Sequence, residues 1–246
     1  MRNYLAPVVA ALVLGGVASA QDTPRDMIQR AIKAHGGEDK LGRISCDKVK
    51  VQGVLHVGND DVPFSAETIV QLPGQFKNTV NVTINDTKVV LVQILNGEKT
   101  TVTKDGQPQK VTDPMDREMH ETMHLERAVR LVPLLTDKGF ELTALEETKV
   151  NNQPAVGVKV AMKGHQDLRL YFDKETNLLV KTEHMHDDGK GGKEVKQEEF
   201  YGAFKDLGGG FKRPTRVTAY RDGKKIMDAQ LLEVSYLEKI PESEFK

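Results

Sequence analysis

The sequence predicts a mainly β (α+β) fold, in which one large curved antiparallel sheet of about 10–11 strands carries helices on its concave face. Apolar and polar residues alternate along most of the chain after residue 46, as in strands with one buried face. Asn-Gly, Asp-Gly and Pro-Gly turns separate these segments, and only two stretches have helical spacing. Because so wide a sheet must twist and curl, its apolar face is expected to turn inward around a hollow.

Residues 1–20 have the pattern of a secretory signal peptide. Arg2 precedes the apolar run 5–17, and Ala18-Ser19-Ala20 has the small-x-small form that signal peptidase cuts. The run is short for a bilayer span, and Gly15-Gly16 interrupts it. We expect a soluble exported protein, periplasmic or extracellular, in which residues 21–246 form a single domain.

Composition argues against several function classes. The chain has 35 basic and 36 acidic residues with no block of one sign, so it lacks the electrostatic pattern of a nucleic-acid partner. No apolar run after residue 20 approaches the length of a stable membrane span. Cys46 is the only cysteine and is expected to be a small apolar residue entering the first strand. Glycine-rich phosphate loops, G-x-S-x-G and C-x-x-C are absent from the sequence, and we predict no cofactor.

Two helices are predicted. Thr23 precedes Pro24 as a helix cap, and the stripe Met27, Ile28, Ala31 and Ile32 has helical spacing up to Gly36-Gly37. The second helix starts near Asp113-Pro114 and continues to about residue 135, with a kink or an end at Pro133.

The predicted strands lie between turn signals and come before and after the second helix. Their ranges are 49–57, 62–72, 80–84, 89–95, 99–104, 155–162, 167–172, 178–185, 194–204, 215–221 and 224–237. The turns after them include 187–192 and 207–210.

Three segments resemble a known family. They are A-I-K-A-H-G-G at 31–37, L-R-L-Y-F-D-K-E-T-N-L-L-V-K at 168–181 and F-K-R-P-T-R at 211–216. Together with the order of helices and strands, they resemble the periplasmic, LolA-like superfamily of outer-membrane lipoprotein-sorting proteins. The resemblance implies an open half-barrel with a helical lid and the carriage or sensing of acyl chains or lipoproteins. The arginine with which the lipoprotein carriers contact their cargo has no identifiable counterpart here.

His120-Glu121-Thr122-Met123-His124 matches H-E-x-x-H on a predicted helix. The spacing places both imidazoles on one helix face, where they would bind zinc with Glu121 as the base of a hydrolase. Glu118 and Glu126 put charges where zinc-protease helices usually have uncharged residues, and the longer metzincin pattern is absent from the sequence. We therefore expect a solvated helix face.

His184 and His186 share a face of a predicted strand. With His120, Met119, Met123 and Met185 they would form a soft copper site if the lid helix met that strand. A polar strand end beside a hairpin is the simpler interpretation, and we predict no metal.

Alternation identifies the residues that would line an apolar cavity. The strand candidates are Val51, Leu55, Phe64, Val80, Val82, Val158, Val160, Leu170 and Phe172. The helix candidates are Met115, Met119 and Met123, whose spacing also fits ordinary core packing.

The sequence therefore predicts an exported, non-catalytic carrier that binds a lipid, an acyl chain or a lipoprotein in an apolar cavity. The alternatives are a ligandless sensor or interaction module on the same fold and a zinc-dependent hydrolase that uses His120, Glu121 and His124.

The first prediction concerns export. N-terminal sequencing of the exported protein should give Gln21 as its first residue, because the pattern in residues 1–20 directs cleavage after Ala20. An exported protein that keeps residues 1–20 would contradict this prediction.

Overall fold

The computed structural model describes residues 22–85, 87–187, 194–207 and 210–246. The expected signal peptide lies outside these residues, as do the centres of the turns expected at 187–192 and 207–210.

Four α-helices and one short 3-10 helix are present in the described residues. They are α1 Pro24–His35, α2 Glu38–Leu41, α3 Asp113–Val129, α4 Val132–Thr136 and the 3-10 helix Glu242–Phe245. The strands are β1 Cys46–Val57, β2 Asp60–Gln71, β3 Gln75–Ile84, β4 Thr87–Asn96, β5 Lys99–Lys104, β6 Gln107–Pro108, β7 Glu141–Val150, β8 Gln153–Ala161, β9 Leu168–Asp173, β10 Leu179–Asp187, β11 Glu194–Gly202, β12 Lys205–Asp206, β13 Lys212–Arg213, β14 Arg216–Arg221 and β15 Lys224–Leu237.

Thirteen strands form one open antiparallel sheet in the order β6-β5-β4-β3-β2-β1-β15-β14-β11-β10-β9-β8-β7. The short strands β12 and β13 pair separately. The last strand lies beside the first, so the two ends of the meander meet in the middle of the sheet. The predicted mainly β fold with a large antiparallel sheet is confirmed.

The sheet has more strands than the sequence indicated. The prediction lacked β6, which has two residues, and β7, an edge strand in which Glu141, Glu146 and Glu147 obscure the apolar alternation. An edge strand pairs on one side only and keeps more polar residues than a central strand, so its pattern is weaker.

Helix α1 begins where the sequence predicts. The Thr23 hydroxyl accepts a hydrogen bond from the Asp26 amide, and the Asp26 carboxylate accepts one from the Thr23 amide. This capping box satisfies the first free amides of the helix. The predicted stripe of Met27, Ile28, Ala31 and Ile32 is buried.

The predicted second helix is two helices. α3 ends at Val129, Leu131 has a positive φ of 65°, and Pro133 lies in the first turn of α4. A proline cannot continue a helix through its own position, which is why the break falls here. The break turns α4 toward α1, with which it packs.

The helices cover one face of the sheet, which we call the inner face. Under α1 and α4 this face is a filled core that contains Val158, Val160, Leu170 and Phe172. Under α3, Met119 and Met123 pack on three inner-face residues, Val70, Phe76 and Leu95. On the opposite, outer face, Ile240 and Phe245 from the C-terminal segment cover Cys46, Ile69 and Ile94.

A third part of the inner face carries a cluster in which Phe64, Ala66 and Ala229 are buried and the other apolar side chains are partly accessible. It contains the cluster Val51, Leu55, Phe64, Ala66, Val80, Val82, Met227 and Ala229, which we call the β1–β3 patch. The register aligns Val51 with Ala66 and Ala66 with Val80, so these side chains share one face. The helices therefore fill one half of the inner face and leave the other half less covered.

The filled half gives the second prediction. Val160 is 0% exposed, so Val160→Arg should lower the free energy of unfolding by about 4 kcal/mol or more, because an unpaired charge would be buried. Val57 is 59% exposed, and Val57→Arg is the matched control, with an expected change within about 0.5 kcal/mol. Urea denaturation measures both, and a Val160→Arg protein as stable as the wild type would show that this region is hollow.

Candidate functional site

A cavity of about 300 Å³ lies between the helices and the inner face of the sheet. Strands β1, β2, β11, β14 and β15 form its floor, and α1 and the C-terminal end of α3 lie above it. This volume is at the lower end of the range for small-molecule pockets, which is about 300–1,000 Å³. Its apolar walls include Leu41, Ile44, Val49, Val51, Val70, Val129, Leu131, Leu179, Val217, Ala229 and Leu231.

The structure divides the predicted lining residues into three groups. Val51 lines the cavity, and Leu55, Phe64, Val80 and Val82 lie with it in the adjoining β1–β3 patch. Val158, Val160, Leu170 and Phe172 are packed in the filled core. Met119 and Met123 are buried on the side of α3 that faces the sheet, and Met115 of the same helix is half-buried. Contact of these residues with a ligand stays a prediction.

A buried ionic cluster stands at one end of the cavity. The Asp47 carboxylate, on β1, is 1% exposed and accepts a hydrogen bond from Arg130 Nη2 at 2.7 Å. Its second oxygen accepts one from Arg213 Nη2 at 2.6 Å. Arg130 Nη1 also donates to the Glu126 carboxylate of α3 at 2.7 Å, and its bond to Asp47 joins the end of α3 to the sheet.

The charges of this cluster compensate one another. Burial acts to lower the pKa of Arg130, but the carboxylates of Glu126 and Asp47 outweigh it and raise that pKa above its usual value. Two arginines and two carboxylates form a group with no net charge, as a buried ionic network requires. The sequence analysis missed this cluster, because nothing in the sequence showed that Asp47, Arg130 and Arg213 would meet.

His35 fixes the C-terminal end of α1 against the cavity wall. Its Nδ1 donates to the Lys212 carbonyl at 2.9 Å, and its Nε2 accepts from the Leu179 amide at 3.0 Å. Because Nε2 accepts an N–H while Nδ1 faces a carbonyl, the ring is neutral with one donor and one acceptor nitrogen, and burial lowers the pKa of His35 in the same direction. This bridge joins all three segments that carried the family resemblance.

Gly36 allows this junction to be close. A Cβ atom at this position would lie 2.6 Å from the Gly210 carbonyl oxygen, and the φ of Gly36 is 133°. Only glycine has both the conformation and the space that the approach requires.

A polar strip crosses the inner face at the floor of the cavity. The Tyr201 hydroxyl donates to the Glu199 carboxylate at 2.9 Å and accepts from the Thr182 hydroxyl at 3.0 Å. Gln197 Nε2 makes a longer contact of 3.4 Å with the same carboxylate. Burial raises the pKa of Glu199 although both hydrogen bonds act to lower it. The sequence analysis missed Glu199, although Val195, Gln197, Glu199 and Tyr201 alternate on one strand face.

The H-E-x-x-H segment is not a solvated helix face, so that expectation is wrong for His124. Its ring is 1% exposed and stacks on His165 and Phe140, with ring centroids 4.3 Å and 5.6 Å away. Within the part of the chain that the structure describes, the ring nitrogens of His124 have no hydrogen-bond partner. Burial, with smaller effects from His165 and Arg127, lowers the pKa of His124 to about 4.

Glu121 has a structural role, and its contacts are not those of a catalytic base. Its carboxylate faces the His165 ring at 3.2 Å and accepts a hydrogen bond from the Gln166 amide at 3.1 Å, which ties α3 to the loop before β9. His120 lies 4.0 Å from Asp116. These contacts give no support to the zinc hydrolase alternative.

Helix α3 does meet the strand with His184 and His186. The Glu118 carboxylate lies 2.9 Å from His186 Nδ1, and burial lowers the pKa of His184. Met185 lies between them in the strand and is exposed. Among the residues that the structure describes, no three His, Cys, Asp or Glu side chains form a group suited to a metal ion.

The fold is similar to solved structures at low sequence identity. A LolA superfamily protein from Nitrosomonas europaea, NE2245, is 11% identical over 92% of this chain and 98% of its own, with a TM-score of 0.58. A DUF1329 family protein from Desulfovibrio piger is 12% identical over 92% of this chain and 98% of its own, with a TM-score of 0.51. No family model and no curated protein matches the chain. The chain thus has a LolA-like fold, as the sequence resemblance predicted.

Within the described residues, no helix has the length and apolar composition needed to cross a membrane.

The third prediction concerns the stacked histidine. Because the folded-state pKa of His124 lies at about 4, below the usual histidine value of 6.5, the unfolded chain binds a proton first as the pH falls. Stability should therefore decrease from about pH 6.5 to about pH 4, and this ring should contribute on the order of 2 kcal/mol after allowance for solvent screening.

Phe in place of His124 removes the titrating group without leaving a hydrogen-bond partner unsatisfied. Urea denaturation at both ends of this pH range should show a smaller acid loss for His124→Phe than for the wild type. The matched control, His120→Phe, should keep the full loss. An unchanged loss in His124→Phe would show that His124 does not titrate in this way.

Proposed function

We propose that this protein is a non-catalytic carrier that binds the acyl chain of a lipid or of a lipidated protein between the helices and the sheet. The observation that supports this best is the continuity of the apolar surface. Val51 and Ala229 belong both to the cavity wall and to the β1–β3 patch. A chain longer than the cavity would therefore leave it along an apolar path.

The energetics of such a site are favourable. Burial of an acyl chain contributes about 0.8 kcal/mol per methylene, so ten methylenes contribute about 8 kcal/mol. Association opposes this with at least about 4 kcal/mol of lost translational and rotational freedom. Binding is therefore feasible without a specific polar contact, which suits a carrier of varied lipids.

The family resemblance supports the same function. Its segments 31–37 and 211–216 meet at the cavity through His35 and Lys212, and Arg213 continues the contact to Asp47. Members of the LolA-like superfamily carry acyl chains or lipoproteins in the periplasm. We extend this role, the exported location and the single domain of residues 21–246 to this protein as parts of the proposal.

Obstruction of the cavity is the fourth prediction. Val51→Phe should fill space on the inner face and weaken the binding of a neutral long-chain alkyl fluorophore by about tenfold or more. Val54→Phe is the matched control, because Val54 is on the same strand with its side chain on the opposite face. Fluorescence titration measures both variants, and thermal unfolding checks that both are folded.

The wild-type protein should bind the fluorophore with micromolar affinity or better. Native mass spectrometry of protein from an exported preparation should also show a co-purified lipid mass. The carrier function would be refuted if the wild type bound no alkyl probe, or if the two valine variants bound it equally well.

A further inference from the structure

Glu199 is a half-buried acid in the wall of the cavity. It lies on β11, and its side chain points to the inner face, where it is part of the cavity wall. Loss of solvent around the carboxylate raises the pKa of Glu199, because such a site disfavours an isolated negative charge.

Among the described residues, Glu199 has no cationic partner, in contrast to the buried Asp47. Asp47, on the same inner face, is bridged by Arg130 and Arg213. Glu199 receives hydrogen bonds from two neutral donors, Tyr201 and Gln197. In the described part of the chain, no salt bridge reaches its carboxylate, and Arg221 connects to it only through Gln197.

Among the described residues, the two arginines that line the cavity are already engaged, and its one lysine is exposed to solvent. Arg130 and Arg213 are neutralised by Asp47 and Glu126. Lys212 is exposed. In the described residues, the Glu199 carboxylate is therefore the charge in the cavity wall that lacks a partner of opposite charge.

The register places Glu199 beside the apolar path of a ligand. It pairs with Ala219 on β14, Ala219 pairs with Met227 on β15, and Met227 pairs with Leu55 on β1. Met227 and Leu55 belong to the β1–β3 patch. A head group at Glu199 would thus have apolar surface next to it for an alkyl chain.

We propose that the cavity selects amphiphiles with a primary ammonium head group, and that Glu199 binds the ammonium. This inference rests on the proposed carrier function. An ammonium brings one positive charge and three N–H donors, and a carboxylate has about four acceptor positions, of which Tyr201 and Gln197 use two. The resulting hydrogen bonds are charge-assisted in a site of low polarity, where they are strong. A carboxylate head group would meet the Glu199 carboxyl and bind less well.

The first test uses the wild-type protein and four decyl amphiphiles with different head groups. Isothermal titration at about pH 7, where an aliphatic amine is protonated, would compare decylamine, decanol, decanoate and decyltrimethylammonium. We expect decylamine to bind about tenfold or more tightly than decanol and decanoate. Decyltrimethylammonium has the charge but no N–H donor, so it should bind more weakly than decylamine.

The second test assigns the preference to one side chain. Glu199→Gln keeps the size and the acceptor for Tyr201 but removes the charge, so decylamine and decanol should bind it with similar affinity. Glu198→Gln is the matched control, because Glu198 is the next residue, on the outer face, where it pairs with Lys181 and Lys196. Glu198→Gln should keep the wild-type preference for decylamine.

The outcomes separate this inference from the carrier function. Equal binding of decylamine and decanol by the wild type, or a preference that survives in Glu199→Gln, would overturn the ammonium site and leave the carrier function intact. Binding of none of the four amphiphiles would contradict both. If Glu199→Gln were not folded, the wild-type series would still decide, since it depends on the head group alone.

Discussion

The dominant physical constraint on this protein is the size of the apolar inner face of its sheet. Thirteen strands present more apolar surface than α1, α3 and α4 cover. Where α1 and α4 pack on β8 and β9, the result is an ordinary filled core. Over β1, β2 and β15 the helices stand away from the sheet, and a cavity continues into partly exposed apolar surface. Exposed apolar surface of this kind is unfavourable in water, and the proposed carrier function accounts for it as a binding surface.

The polar groups around this cavity hold its walls together. Arg130, at the end of α3, bonds Asp47 on β1, and Arg213 reaches the same carboxylate from β13. His35, at the end of α1, bonds the backbone of β10 and β13. Elements that are far apart in the chain are thus fixed at one end of the cavity. A ligand would enter a preformed site, which lowers the ordering entropy that binding has to overcome.

Two carboxylates on the inner face, the buried Asp47 and the half-buried Glu199, have different environments and therefore different chemistry. Asp47 has two guanidinium partners and serves the structure. Glu199 has neutral partners and faces the cavity. A carboxylate in an apolar wall without a cationic partner is unfavourable for folding, and the proposed ammonium site rests on this feature. The H-E-x-x-H segment shows the reverse, since its sequence pattern suggests chemistry but its side chains serve packing and helix docking.

Interactions between residues close together in the sequence determined the fold class, the limits of α1, the break near Pro133 and most of the strands. The spacing of apolar residues, the helix caps and the turn residues each involve a few neighbouring positions, so the sequence alone reveals them. Only the tertiary structure decided which apolar residues line a cavity. Val51 and Val160 both lie in segments of alternating apolar and polar residues, but Val51 lines the cavity and Val160 is packed in the filled core. It also decided that Asp47 meets two arginines and that Glu199 meets none. Such pairings depend on strand register and on the packing of distant elements, which a single sequence does not specify.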